Sequence, residues 1–147
     1  MKAINCFIIV VFCLCTIETA WAEDPVLPPS ANRALIEQNL LVGLASENRG
    51  LQRSCALMLG HLGSEDAVLP LMAILKNSEY PELKIAAAWS LCNIGDPRGT
   101  FAVKREVEFN DCCKTRLACA WYYENMVKPG SFVFREINQQ LVAIAQH

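Results

Sequence analysis

Cys112 and Cys113 are the residues of this 147-residue chain whose type and spacing most favour chemistry. Two adjacent cysteines near the start of a helix can form a redox switch or bind a soft metal, because the helix N-terminus stabilises a thiolate. The alternative is that cysteine replaces alanine as a small apolar side chain in tight helix packing. The sequence leaves both interpretations open for this pair.

Other patterns that carry catalysis or bind metals are missing from the sequence. The chain has two histidines, His61 and the terminal His147, whereas zinc needs several convergent nitrogen or sulfur ligands. No glycine-rich phosphate loop or Gly-x-Ser-x-Gly motif occurs, and Glu106 and Glu108 do not face each other on a helix. The net charge is −2 with mixed signs along the chain, unlike the basic stripe of a nucleic-acid binder. We therefore expect no enzyme activity, no metal or other cofactor, and no nucleic-acid partner.

A sequence repeat that occurs three times organises the rest of the chain. Residues 51–63 return without a gap as 83–95 and again as 115–127, an offset of 32 residues. A repeat period of 20–50 residues is typical of a solenoid, in which each unit buries its apolar face against its neighbours. The sequence therefore predicts an all-α protein, a right-handed α-α superhelix. The alternative is a globular bundle in which the similarity is accidental.

Helix caps and apolar stripes predict seven helices in one repeat domain over residues 31–147. The units are a leading half-unit and three helix pairs, at about 31–46, 50–78, 81–110 and 111–145. The last predicted helix begins after Ser131, which is a suitable N-cap. Its apolar stripe consists of Phe134, Ile137, Leu141 and Ile144.

The N-terminus has the pattern of a secretory signal peptide. The apolar run Cys6 to Ile17 is followed by Ala20-Trp21-Ala22, which places small residues where a signal peptidase cleaves. The run ends at Glu18 and is shorter than the ~20 residues that span a membrane. We expect cleavage of residues 1–22, a proline-rich arm over 23–30, and export to the periplasm or the extracellular space without stable membrane insertion.

Five cysteines remain after that cleavage, and the repeat register predicts that they pair poorly. Cys55 and Cys119 occupy one column of the repeat two units apart, far beyond the ~7 Å Cα separation that a disulfide allows. Cys112 lies about 10 Å along a helix from Cys119. Cys92 lies near the end of its helix, away from the Cys112-Cys113 pair. We therefore expect at least three free thiols.

The segments LGHLGSEDAVLPL (59–71) and AAAWSLCNIGDPR (86–98) resemble HEAT repeats, and more closely the short HEAT-like type named after phycobilin lyases. The resemblance covers about residues 31–145. It implies a helical superhelix and a protein or peptide partner, because members of this family mostly serve as protein-binding scaffolds. A few members attach or detach bilin pigments, so the resemblance also implies a bilin-lyase relative as an alternative function.

Two tryptophans lie where an outward helix face is expected to be polar. At 100° per residue, Trp89 and Trp121 lie about 140° from the buried centre of their helices, and Ile85 and Leu117 about 180° from it. The four residues, here called the first-helix strip, predict an exposed apolar patch of roughly 500 Å², a size typical of an interaction site. The alternative is that each tryptophan lies sideways over the groove to a neighbouring helix, or under the proline-rich arm at Val26-Leu27.

The second helices of the repeat units predict another surface. It combines apolar and charged side chains, namely Leu69, Phe101, Lys104, Arg105 and Glu108. The sequence as a whole predicts an exported, non-catalytic HEAT-like scaffold that binds a protein, a peptide or a second copy of itself. A thiol-redox or soft-metal protein that uses Cys112 and Cys113 is the alternative from another class.

Overall fold

The computed structural model describes residues 32–137 and 140–146. The predicted signal peptide and proline-rich arm lie outside the described residues. The described residues form six α-helices followed by one antiparallel hairpin. The helices are α1 Arg33–Leu44, α2 Arg49–Leu62, α3 Val68–Asn77, α4 Pro81–Ile94, α5 Pro97–Phe109 and α6 Cys113–Tyr122. A 3-10 turn at Glu65–Ala67 leads into α3, and a π-helical turn at Tyr123–Val127 continues α6. The strands are β1 Phe132–Ile137 and β2 Gln140–Ala145.

Local sequence sets the helix ends. The carboxylate of Asp96 caps α5 by accepting from the Arg98 backbone N–H at 2.8 Å, and Pro97 begins the helix, where its missing N–H costs no hydrogen bond. Gly63 and Gly95 end α2 and α4 with φ values of 64° and 77°. Glycine reaches this left-handed conformation without a Cβ penalty, so the same residue type ends both helices.

The helices stack as the repeat predicts, which confirms the all-α, HEAT-like architecture. The first helices pack in the order α2, α4, α6, and the second helices α3 and α5 pack against each other and against α4. Fully buried side chains from both layers form the core, among them Leu59, Leu71, Leu75, Leu91 and Val103. Each unit therefore buries its apolar face largely against its neighbours.

Small residues let α2 and α4 approach each other closely. A Cβ placed on Gly60 would lie 2.8 Å from the Ser90 Cα atom. The Ser90 hydroxyl donates to the Ala56 carbonyl oxygen at 2.8 Å, and the Asn93 amide donates to the Gly60 carbonyl oxygen at 2.9 Å. These two bonds and the absent side chain fix the spacing of the first two units.

The prediction of a seventh helix is wrong, because its residues form the β1–β2 hairpin. Phe132 pairs with Ala145 and Phe134 with Ala143. Ser131, predicted as a helix N-cap, instead donates its backbone N–H to the Glu124 carboxylate at 2.8 Å, and the Phe132 N–H does the same at 2.9 Å. These bonds hold the backbone at Ser131 and Phe132 in an extended conformation. Aromatic residues, which have a high β-propensity, then continue the segment as strand β1.

Candidate functional site

The first-helix strip lies on α4 and α6, and most of it is partly covered. Ile85, Trp89 and Leu117 are half-buried, whereas Trp121 is 53% exposed. The Trp89 ring lies 4.7 Å from the imidazole ring of His61 on α2. Trp89 therefore lies across the groove to the neighbouring first helix, and only Trp121 offers a large accessible surface.

The two tryptophans differ because their neighbours in the preceding unit differ. The residue that corresponds to His61 one repeat later is Asn93, and its amide group is hydrogen-bonded to the Gly60 carbonyl oxygen. Trp121 has an edge contact with Tyr122, the next residue of its own helix, at 5.6 Å between ring centroids. An identical column of the repeat thus gives a packed tryptophan in one unit and an exposed tryptophan in the next.

The surface predicted on the second helices is accessible. Leu69 is 62% exposed and Phe101 is 67% exposed. Lys104, Arg105 and Glu108 are also exposed. Large apolar side chains of this exposure lie beside charged groups here, and an exposed apolar patch with polar surroundings is typical of an interaction site.

A groove of about 340 Å³, here called the second-helix groove, lies between α3 and α5. Its residues are the apolar Leu69, Met72, Ala73, Leu75 and Ala102 and the charged Lys76, Arg105 and Glu106. Glu106 is only 9% exposed and accepts a hydrogen bond from the Asn110 amide at 2.6 Å. Within the part of the chain that the structure describes, neither Lys76 nor Arg105 forms a salt bridge. The groove therefore combines an apolar lining with two cationic groups that remain able to bind an anion.

The cysteines divide into buried and accessible groups, and all five in the described ranges are free thiols. Cys55, Cys92 and Cys119 are buried, and burial raises the pKa of Cys92 and of Cys119 to about 12. A thiol with such a pKa stays protonated at neutral pH and behaves as a small apolar side chain. Chemistry at neutral pH therefore falls to Cys112 and Cys113.

Cys112 is the N-cap residue of α6 and is half-buried, and Cys113 is exposed in the first turn. The Thr115 side chain and backbone N–H lower the pKa of the Cys112 thiol by favouring the charged sulfur, and the Lys114 backbone N–H and charge act in the same direction. This agrees with the predicted effect of the helix N-terminus. No cluster of three or more His, Cys, Asp or Glu side chains within 32–137 and 140–146 is placed to hold a metal ion.

Two features of these sites escaped prediction from the sequence. One is the second-helix groove, whose only signal is the pair of small residues Ala73 and Ala102 that face it. The other is Thr115, which the repeat pattern places in a buried column and which lies beside the Cys112 sulfur. The groove depends on the distance between α3 and α5, which a one-dimensional pattern does not contain, whereas Thr115 lies near Cys112 because the two residues are three apart at the start of α6.

Among the helices that the structure describes, none combines the length and the apolar character needed to cross a membrane.

Residues 37–104 match the family model of HEAT repeats, and no curated protein matches the chain. The matched range begins within α1 and ends within α5. It therefore contains the closely packed α2–α4 contact and most of the second-helix groove. HEAT repeats generally act as helical scaffolds for protein interaction. The match and the stacked helices together show that this part of the chain is similar to HEAT repeats.

Proposed function

We propose that this chain is an exported scaffold that binds a protein partner in the second-helix groove and has no catalytic activity of its own. The observation that carries the proposal is the exposure of Leu69 and Phe101, 62% and 67%, beside cationic groups that form no salt bridge within the described residues. Isolated exposed apolar residues are common on protein surfaces, but apolar residues beside a groove favour an interaction site.

The lining of the groove indicates the kind of partner. Apolar side chains along the groove favour an apolar anchor, because its burial releases about 25 cal/mol for each Å² of apolar surface. Lys76 and Arg105 at the groove, with Lys104 nearby on α5, favour a carboxylate next to that anchor. We therefore propose a partner segment in which an apolar residue is adjacent to acidic residues.

The first-helix strip is the second candidate surface, and it would support self-association. Trp121 is the one residue of the four that is classed as exposed, at 53%. Ile85, Trp89 and Leu117 are half-buried, so the strip presents less apolar area than the sequence pattern suggests. A protein–protein interface stable enough to hold a dimer usually buries about 800 Å² on each partner. The second-helix groove is the better supported surface for this reason.

A displayed library of random linear peptides, selected on the purified protein, tests the proposal. We expect the selected peptides to carry an apolar residue beside Asp or Glu. A synthetic copy of one such peptide should bind the Arg105→Glu and Phe101→Ala variants at least tenfold more weakly, a loss of about 1.4 kcal/mol. Trp121→Ala is the matched control, because it removes an aromatic ring of similar exposure from the other face.

Two results would contradict this site. One is a peptide whose affinity depends on Trp121 and not on Arg105 or Phe101, which would move binding to the first-helix strip. The other is a set of selected peptides without acidic residues that bind all three variants equally. Unchanged thermal melting of each variant shows that a loss of binding is not a loss of fold.

Export and the closer likeness to the phycobilin-lyase type complete the proposal. They rest on Ala20-Trp21-Ala22 and on the segments 59–71 and 86–98. N-terminal sequencing of exported protein should begin at Glu23. Soluble protein that stays in the cytoplasm with Met1 intact would contradict export and would favour the bilin-type function.

A further inference from the structure

Cys112 borders a second groove, here called the Cys112 groove, which shares Lys76 and Glu106 with the second-helix groove. Its thiol chemistry is separate from the proposed partner binding. Its volume is about 360 Å³, and it lies where the segments before α4 and α6 approach each other. Charged and polar side chains line it, namely the basic Lys76 and Lys84, the acidic Glu79, Glu106 and Asp111, and the polar Asn110, Cys112 and Thr115. The groove is large enough to admit a small molecule to the sulfur, at the lower end of the range of ligand sites.

Thr115 is a polar side chain at the base of this groove without a partner of its own. It is fully buried, and its hydroxyl oxygen has no hydrogen-bond partner in the described residues. Buried hydroxyl groups are normally hydrogen-bonded, so an orphaned one indicates a missing acceptor. Cys112 lies three residues before Thr115 and lines the same groove, so a thiolate there would supply the acceptor, and the lowered pKa of Cys112 has the same direction.

The backbone around Cys112 is arranged to hold the same charge. Cys112 is the N-cap of α6, a helix of 10 residues, and the free N–H groups of Lys114 and Thr115 favour the thiolate. The Asn110 side-chain oxygen accepts the Cys112 N–H at 2.9 Å and fixes the approach of the chain to the helix. The charge on the sulfur is therefore stabilised by a hydroxyl, two backbone groups and a nearby ammonium group.

We propose that Cys112 is a thiol-modification site that takes small disulfides from solution by thiol–disulfide exchange in the Cys112 groove. The thiolate attacks one sulfur of a disulfide RS–SR, so the bond between the two sulfurs of RS–SR breaks and a Cys112 S–SR bond forms. The second half leaves as the thiolate RS⁻, which takes up the proton that Cys112 lost. The disulfide is the oxidant, the Cys112 sulfur is oxidised, and the released thiol RSH is the reduced product.

Cys113 does not resolve this product by forming a disulfide with Cys112. Adjacent Cα atoms lie about 3.8 Å apart across a trans peptide bond, whereas disulfides usually need about 4.4–6.8 Å. Cys55, Cys92 and Cys119 are buried in the helical core and do not reach the groove. The mixed disulfide at Cys112 therefore persists until an external thiol reduces it.

Treatment of the purified full-length chain with oxidised glutathione, followed by site-resolved peptide mass mapping, tests the proposal. Among the five cysteines of the described residues, we expect the adduct at Cys112, and we expect it to reverse with dithiothreitol. Cys112→Ser should abolish that adduct, and Cys113→Ser is the matched control that should retain it. Faster modification of Cys113 than of Cys112 would overturn the proposal.

A pH–rate profile with iodoacetamide tests the part played by Thr115. Thr115→Val removes the hydroxyl at nearly constant volume, and we expect the midpoint of the profile at Cys112 to move to higher pH. The reaction with oxidised glutathione at pH 7 should slow by about threefold for each tenfold loss of thiolate, since a thiolate of higher pKa is more nucleophilic. Thr115→Ser should keep the profile of the parent protein. Identical profiles for Thr115→Val and the parent would show that the hydroxyl does not stabilise the thiolate and would overturn the proposed geometry.

Discussion

The first helices of the repeat units pack more closely than the second helices. α2 and α4 approach until a Cβ at Gly60 would lie 2.8 Å from the Ser90 Cα atom. α3 and α5 leave the second-helix groove of about 340 Å³ between them and keep Leu69 and Phe101 exposed. Close contact between the first helices therefore holds the repeat units together. The looser second layer is therefore free to present a binding surface.

The contact between α2 and α4 predicts the largest effect on stability. Gly60→Ala should lower the free energy of unfolding by about 1–3 kcal/mol, because the new methyl group meets the Ser90 backbone and the helices must separate. Urea denaturation of purified protein measures the change. Gly50→Ala is the control in the same helix, since its Cβ would meet only the Asn48 side-chain oxygen, at 3.3 Å. Equal stability of the two variants would show that the first helices are not closely packed.

The two tryptophans predict a smaller difference within the first layer. Trp89→Ala should destabilise the protein by about 1 kcal/mol more than Trp121→Ala, because aromatic pairs contribute about 0.5–1.5 kcal/mol and only Trp89 contacts a ring of the preceding unit. Thermal melting of both variants and of His61→Ala gives the comparison. A greater loss from Trp121→Ala would reverse the roles assigned to these two positions.

Asn93 and Asn125 occupy one repeat column and predict a still smaller contrast. The Asn93 amide bonds across units to the Gly60 carbonyl oxygen at 2.9 Å, whereas the Asn125 amide bonds to the Trp121 carbonyl oxygen of its own helix segment at 2.7 Å. Asn93→Ala should cost about 0.5–1 kcal/mol and Asn125→Ala less than that. Matched urea titrations test the order, and a larger loss at Asn125 would contradict it.

Glu124 predicts a small, pH-dependent effect at the hairpin, outside both helical layers. Its carboxylate accepts backbone N–H groups of Gly130, Ser131 and Phe132, and these bonds lower the pKa of Glu124 below its usual value. The stabilisation is fully present above the unfolded-state pKa of about 4.5 and is lost as pH falls through the lower folded-state pKa. Glu124→Gln should remove this part of the acid dependence, as measured by urea titrations from pH 3 to pH 7. A variant with the full acid dependence of the parent would exclude Glu124 as its source.

Much of the helical layer could be predicted because its signals are local. Asp96-Pro97 marks the start of α5, Gly63 marks the end of α2, and the 32-residue offset aligns the first helices. The hairpin was missed because Phe134 and Ile144 also fit a helical stripe, and the decisive contact comes from Glu124 in the preceding segment. Local periodicity does not contain that contact.

The accessible surfaces could be predicted only in part. The repeat placed Trp89 and Trp121 in one column, but His61 and Asn93 give them different surroundings. In the second layer the charged residues were visible in the sequence, whereas the groove depends on how far α3 and α5 stand apart. The repeat pattern predicts which residue types lie at the surface, but the exposure of each side chain depends on the residues of the neighbouring unit.

Hydrogen exchange with and without a peptide selected on the protein tests most directly whether the second layer is the binding surface. If the second-helix groove is the binding surface, we expect the peptide to slow amide exchange in α3 and α5, with little change in α4 and α6. Because both layers are measured in one experiment, the first-helix strip is its internal control. Slower exchange confined to α4 and α6, around Trp89 and Trp121, would show that the peptide does not bind in the second-helix groove.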